Sequence, residues 1–184
     1  MKLPASLGLI SVLLLAGCKP GLNSSETGAL AANLNAQFDY YINGMHTERF
    51  SMDGKLAYEL SASRITHFPA DDHAELAKPV LRWFSDDAEP WTVTADTGNL
   101  HQKGGTDEVT LTGSVQATTT TPHTGPILLE TSWLNILPRK KMANTDAEVS
   151  FNAQTTNWHS KGMQLDLAAN TLSLLNDVRG THVP

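Results

Sequence analysis

The one cysteine of this 184-residue chain, Cys18, stands directly behind Leu15-Ala16-Gly17. A thiol in that setting is a candidate for acylation. The four residues have the pattern of a lipoprotein box, in which the leader is cut before the cysteine and the thiol receives a diacylglyceryl group. Each buried CH₂ contributes about 0.8 kcal/mol, so two or three acyl chains hold a protein stably at a membrane. The alternative is a free thiol in a leader that stays on as an anchor. One cysteine forms no internal disulfide and is too few for a thiolate metal cluster, so the folded part stands on burial alone.

Other reactive side chains give weaker patterns. Seven histidines, at 46, 67, 73, 101, 123, 159 and 182, include no helical i,i+4 pair. The stretch "HFPADDH" around His67 and His73 offers ligands for an ion, but reads better as a solvated turn. Gly104-Gly105 lacks the spacing of a phosphate loop, and there is no G-x-S-x-G elbow. No catalytic residue, metal ligand or cofactor is assigned, and the chain is not expected to be an enzyme. "PRKK", Pro138 to Lys141, is a basic turn that could meet lipid phosphates, although a solvated turn is the simpler reading. Trp83, Trp91, Trp133 and Trp158 fit core or sheet packing better than a ligand site. With 13 Lys+Arg against 19 Asp+Glu the net charge is -6, and no basic face exists to follow a nucleic-acid backbone.

The elements that position these residues divide the chain in three. Residues 1–17 form a secretory leader, with Lys2 followed by an uncharged run from Leu3 to Gly17. At about 15 residues this run is short of the roughly 20 that a membrane-spanning helix needs. Residues 18–37, rich in Gly, Asn, Ser, Thr and Ala, read as the anchored cysteine and a flexible tether. From 38 to 184 the pattern is period-two alternation, which puts apolar side chains on one face of a strand. It runs through Leu56, Tyr58, Leu60 and Ala62, through Trp91, Val93 and Ala95, and through Val109, Leu111, Gly113 and Val115. Turn signals such as Asp53-Gly54 and Pro69 to Asp72 punctuate these runs. The predicted class is all-β.

A weak internal repeat organises the strands. Small or short residues at Ala62, Ala95, Thr131 and Gly162 open units that close on Val80, Val115, Val149 and Val178, about one unit every 30–35 residues. The parity of alternation slips from Ala62 to Ile65, and from Thr131 to Leu134 and Ile136. A one-residue slip turns every later side chain to the other face, so it predicts a bulge where a strand passes from one sheet to another. The expected result is a bent sandwich of two sheets.

Read in order, "FSMDGKLAYELSASRITHFPADDHAEL", "KPVLRWF", "PWTVTADTG", "DEVTLTGSV" and "SKGMQLDLAANTLSLLNDVRGTH" resemble the successive blocks of the LptC family, a component of lipopolysaccharide export in Gram-negative bacteria. The resemblance spans about Phe38 to Val183. It implies an open β-jellyroll like that of LptA, with two antiparallel sheets forming a hydrophobic trough for the acyl chains of lipopolysaccharide. It also implies partners: the LptB-LptF-LptG transporter at the N-terminal edge, and LptA at the C-terminal edge. The residues expected to line the trough are Tyr58, Leu60, Val93, Val109, Leu111, Val115, Leu129, Ile136, Phe151, Leu165 and Leu174. By pattern alone the same alternation fills the closed core of any β-sandwich. Only the resemblance makes it a trough.

The partner edges implied are about Tyr40 to Phe50, with Gly44 on a small residue of the family's first strand, and Leu172 to Val183. Gly162 falls near the LptA-facing region, and Val178 and Arg179 lie on the last strand. The expected location is the periplasmic face of the inner membrane, held by the N-terminal lipid or by an uncleaved leader. One feature departs from the family, whose members carry an N-terminal transmembrane helix. In addition, Lys19 follows Cys18 where similarity to enterobacterial lipoproteins would require aspartate for inner-membrane retention. The alternative is therefore an outer-membrane lipoprotein whose jellyroll acts as a scaffold or binds another amphiphile.

Overall fold

Period-two alternation builds strands throughout the domain. The computed structural model describes residues 38–85, 88–103, 106–121, 125–169 and 171–182; Cys18, the leader, the tether, Gly104-Gly105 and His123 lie outside the described residues. Eleven strands follow in chain order: β1 (Tyr40–Phe50), β2 (Leu56–Phe68), β3 (His73–Ala77), β4 (Val80–Ser85), β5 (Ala88–Thr94), β6 (Thr97–Lys103), β7 (Thr106–Thr121), β8 (Gly125–Leu137), β9 (Met142–Ala153), β10 (Thr156–Asp166) and β11 (Thr171–His182). A single 3₁₀ turn, Pro138–Lys140, separates β8 from β9. Neighbouring strands pair antiparallel in one continuous hydrogen-bonded sheet.

This sheet is folded along a crease. β2 pairs with β4 through residues 58–61 and with β3 through 64–68. β7 likewise pairs with β6 through 106–112 and with β5 through 116–118. Where partners change, the backbone is irregular. Left-handed φ values occur at Gly44 (64°), Lys78 (49°), Gly113 (76°), Ser114 (46°), Gly162 (85°) and Asp177 (49°). β8 breaks register between Thr131 and Asn135. Main-chain bonds from Lys78 N–H to Asp96 O (3.0 Å) and from Asp96 N–H to Gly113 O (2.9 Å) stitch the line together. Such irregularities bend and twist a strand, and here they coincide across the sheet. One half-sheet holds β4 and β5, the other β3 and β6, and the long strands run through both.

The sequence repeat is this crease crossed twice per unit. Ala62, Ala95, Thr131 and Gly162 lie where the chain enters it; Val80, Val115, Val149 and Val178 lie where the chain leaves it. Each unit is thus one hairpin of the second half-sheet. Both parity slips fall at the crease, and the residues on either side of the first, Ala62 and Ile65, are buried. From the first half-sheet Leu60, Leu81, Trp83, Val93, Val115 and Leu129 pack with Leu76, Val109, Leu111, Leu134, Ile136 and Met163 of the second, all at most 2% exposed. The architecture is the expected all-β jellyroll, with its core between the half-sheets.

Candidate functional site

The interior is apolar and filled. Of the residues expected to line it, Tyr58, Leu60, Val93, Val109, Leu111, Val115, Leu129 and Ile136 are buried, whereas Phe151, Leu165 and Leu174 are half-buried. Trp83, Trp91, Val93 and Leu129 face Ile136, Met163 and Leu165 across a gap of only 10 Å³. By that measure one water molecule needs about 10–15 Å³. The packing loosens toward β10 and β11, where Leu165, Leu167 and Leu174 touch the core and keep partial exposure.

At the mouth opposite the crease, a polar cluster joins the half-sheets. Asp107, near the start of β7, has a side chain 3% exposed and takes donors from four elements. Tyr58 of β2 donates its hydroxyl at 2.7 Å, and Gln102 of β6 its amide at 3.1 Å. Arg49 Nη2 of β1 lies at 3.4 Å, and Arg139 Nε of the 3₁₀ turn at 3.6 Å. A buried carboxylate must be paired or heavily hydrogen-bonded, and this one is both. Burial, with the bond to Asp107, pushes the Tyr58 hydroxyl up to about 12, so it stays a neutral donor. Tyr58 and Asp107 in turn raise the Arg49 guanidinium above its ordinary value.

Sequence reasoning missed this cluster. A signal was present: Asp107 shares the parity of Val109 and Leu111, so its side chain had to point inward. Tyr58 carried the same inward mark, but nothing in the sequence tied Arg49 to the pair, because it is 58 residues from Asp107 along the chain.

Among the described residues, two strands are edges. β1 pairs with β2, and β11 with β10. Exposed apolar side chains concentrate on them, with Tyr40, Tyr41, Ile42 and Phe50 on β1 and Leu172, Leu175 and Val178 on β11. Gly44 and Gly162 both occupy the crease in the left-handed region. They differ in surroundings: a Cβ at Gly44 would meet nothing within 4 Å, whereas at Gly162 it would lie 3.1 Å from Leu175 Cδ1 and 3.4 Å from Thr145 O. Arg179 is exposed opposite His159.

His67 and His73 lie against carboxylates. His67 Nδ1 lies 2.7 Å from Asp39, with Nε2 3.3 Å from Asp72, and His73 Nδ1 faces Asp71. The bond to Asp39 raises the His67 pKa, and reciprocally His67 holds Asp39 below the usual carboxylate range. Among the described residues no group of three or more His, Cys, Asp or Glu could hold a metal ion. Arg139 of the basic turn belongs to the Asp107 cluster. Trp83 is core, Trp158 is exposed, and Trp133 donates its indole N–H to Asp146 at 3.1 Å.

The profile of the family described as "Lipopolysaccharide-assembly, LptC-related" matches residues 9–183. No curated protein sequence matches the chain. Among solved structures, the fold is similar to the "Crystal structure of LptH, the LptA homologous periplasmic component of the conserved lipopolysaccharide transport device from Pseudomonas aeruginosa", with a TM-score of 0.56 and 9% identity over 69% of this chain and 95% of that one. At that identity the likeness speaks for the fold alone. The family match extends across all the described strands, and on that ground the chain belongs to the LptC-related lipopolysaccharide-assembly family.

Proposed function

We propose that the protein is the membrane-anchored periplasmic component of lipopolysaccharide export that takes lipopolysaccharide from the LptB-LptF-LptG transporter and passes it to LptA. The reading is non-enzymatic. Lipid acyl chains in water expose apolar surface at about 25 cal/mol per Å², and an apolar interior between two sheets removes that cost. Contacts made by dispersion and desolvation do not depend on exact register, so a chain can slide along them. The observation that carries the reading is the match to the LptC-related family over residues 9–183, whose strands enclose one apolar interior. The edge strands supply unpaired main-chain groups, which suit strand addition by a partner sheet. In this reading β1 faces the transporter and β11 faces LptA, with Gly44, Gly162, Val178 and Arg179 at those edges. Cys18 would carry the anchor.

The test places a photoreactive amino acid at Leu111, 0% exposed, and at Thr110 on the opposite face of β7. Ultraviolet crosslinks to lipopolysaccharide in cells are expected at Leu111 and not at Thr110. Crosslinks at neither position in folded protein would replace the conduit with a closed core, and favour a scaffold role. Mass spectrometry of the mature N-terminus checks the anchor: a diacylglyceryl Cys18 is expected, and an intact Met1 would overturn it.

A further inference from the structure

Where Trp83, Val93 and Leu129 face Ile136 and Met163 the gap is only 10 Å³, so an acyl chain passes there only if the half-sheets part. The crease joins them on one side, so they can separate only at the mouth. There the Asp107 cluster ties Tyr58, close to the 51–55 turn of one half-sheet, to the start of β7 in the other. Arg49 and Arg139 reach the same carboxylate from β1 and from the 3₁₀ turn.

The two guanidiniums are not fully used by Asp107. Their contacts, at 3.4 and 3.6 Å, are long for charge-assisted bonds, and their side chains are 40% and 48% exposed. Two cations share one carboxylate, which leaves a local positive surplus facing solvent. Lys141, two residues from Arg139, and Ser51, two from Arg49, line a cleft of about 360 Å³ together with Asp53, Lys55, Leu56, Ala57 and Phe84. The apolar side chains of that lining, Leu56, Ala57 and Phe84, fit the chain of an amphiphile whose anionic head meets Arg49 and Arg139. Planar guanidinium donors bind phosphate, as they do carboxylate, in bidentate fashion.

We propose that Arg49 and Arg139 form a phosphate-binding site at the mouth of the jellyroll, and that a phosphate-bearing amphiphile unlatches the half-sheets by drawing both guanidiniums off Asp107. The inference rests on the lipid-conduit reading for the identity of that amphiphile, and not for its chemistry. Once the guanidiniums are engaged, Asp107 keeps Gln102, its neighbour on the same half-sheet. A single neutral bond from Tyr58 then spans the mouth, and entering water can replace it. The charge of Asp107 therefore stays hydrogen-bonded as the mouth opens, which a carboxylate paired with arginine alone would not allow.

The test uses the full chain in a neutral detergent, with dodecyl phosphate, dodecanol and inorganic phosphate as separate probes. The readout is amide hydrogen exchange at residues 56–60 and 106–112. Dodecyl phosphate is expected to raise exchange there at least fivefold, with little effect from dodecanol. The double variant Arg49→Gln/Arg139→Gln should lose that response. Asp107→Asn, which keeps both cations, should exchange faster without ligand and bind dodecyl phosphate several-fold tighter. Inorganic phosphate acting alone would assign the trigger to the free anion; no effect from it would assign the trigger to the lipid headgroup. Equal responses of the wild type and the double variant, or no response of the wild type, would overturn the proposal. The same variants carrying the Leu111 crosslinker separate the two readings. A phosphate response without lipopolysaccharide crosslinks keeps the latch and rejects the conduit, whereas equal crosslinking in the double variant without a phosphate response keeps the conduit and rejects the latch.

Discussion

The two edge strands share a plan and differ in how they are held. Each crosses the crease on a left-handed residue, Gly44 in β1 and Asp177 in β11, and each exposes apolar side chains. β1 is tied to the body by side chains along its length. Arg49 reaches Asp107, Asp39 pairs with His67, Tyr40 stacks on His67 at 4.9 Å, and Arg64 lies 4.2 Å from the ring centroid of Tyr41. β11 relies on its main-chain ladder with β10, helped by Asn176 on Lys161 O and by His182 beside Thr156. Only Leu174 of β11 packs against the core. A strand held mainly by backbone bonds can exchange one ladder partner for another with little loss of packing. Under the proposed function, the difference would suit β1 to a permanent neighbour, and β11 to a transient one.

The glycines at the crease give the largest expected separation. Alanine at either position takes on a left-handed backbone, at about 1–2 kcal/mol. Gly162→Ala must also push Leu175 and the Thr145 carbonyl aside, so about 2–3 kcal/mol of destabilisation is expected in urea unfolding. Gly44→Ala should cost about 1 kcal/mol, and Gly44→Asn less, because asparagine tolerates the left-handed region. Equal losses at the two sites would break the contrast.

Next comes the tie at the mouth. Tyr58→Phe removes a 2.7 Å bond from a buried carboxylate, and about 1–2 kcal/mol should be lost. Faster hydrogen exchange is expected in β1 and at the start of β7, with β11 unchanged. A uniform rise across all strands would mean that the cluster stabilises the whole fold and does not distinguish the edges.

The smallest effect concerns pH. Asp39 is depressed in the folded state, so its contribution is full above its unfolded value near 3.8 and is lost as pH falls through the lower folded value. His67 is raised, so its contribution is full below 6.5 and is lost as pH rises through the higher folded value. The start of β1 is thus best held between these limits. An NMR titration of His67 should give a pKa above 6.5 that moves back toward 6.5 in Asp39→Asn. No movement in the variant would remove this tie from the comparison.

Much of the fold was legible because strand alternation is a local property. Tyr58 and Leu60, or Val109 and Leu111, face inward wherever the strand lies, and the parity slips at Ala62 and Thr131 marked the crease before any pairing was known. The depth of each inward position was less legible. Phe151, Leu165 and Leu174 follow the same rule as Leu111, yet they are half-buried because the opposing half-sheet covers them incompletely. The histidine turn was rightly read as surface, but its pairing of His67 with Asp39 needed β1 and β2 side by side.

By itself the sequence determined what depends on neighbours in the chain: an all-β domain, an inward face, and points of bending that repeat with each hairpin. Only the tertiary structure decided which charges meet. Tyr58, Gln102, Arg49 and Arg139 come from different elements and converge on Asp107 because the crease brings distant strand ends together. Hydrogen-bond and ion-pair energies fall steeply with distance and angle, and such geometry exists only once the half-sheets have closed.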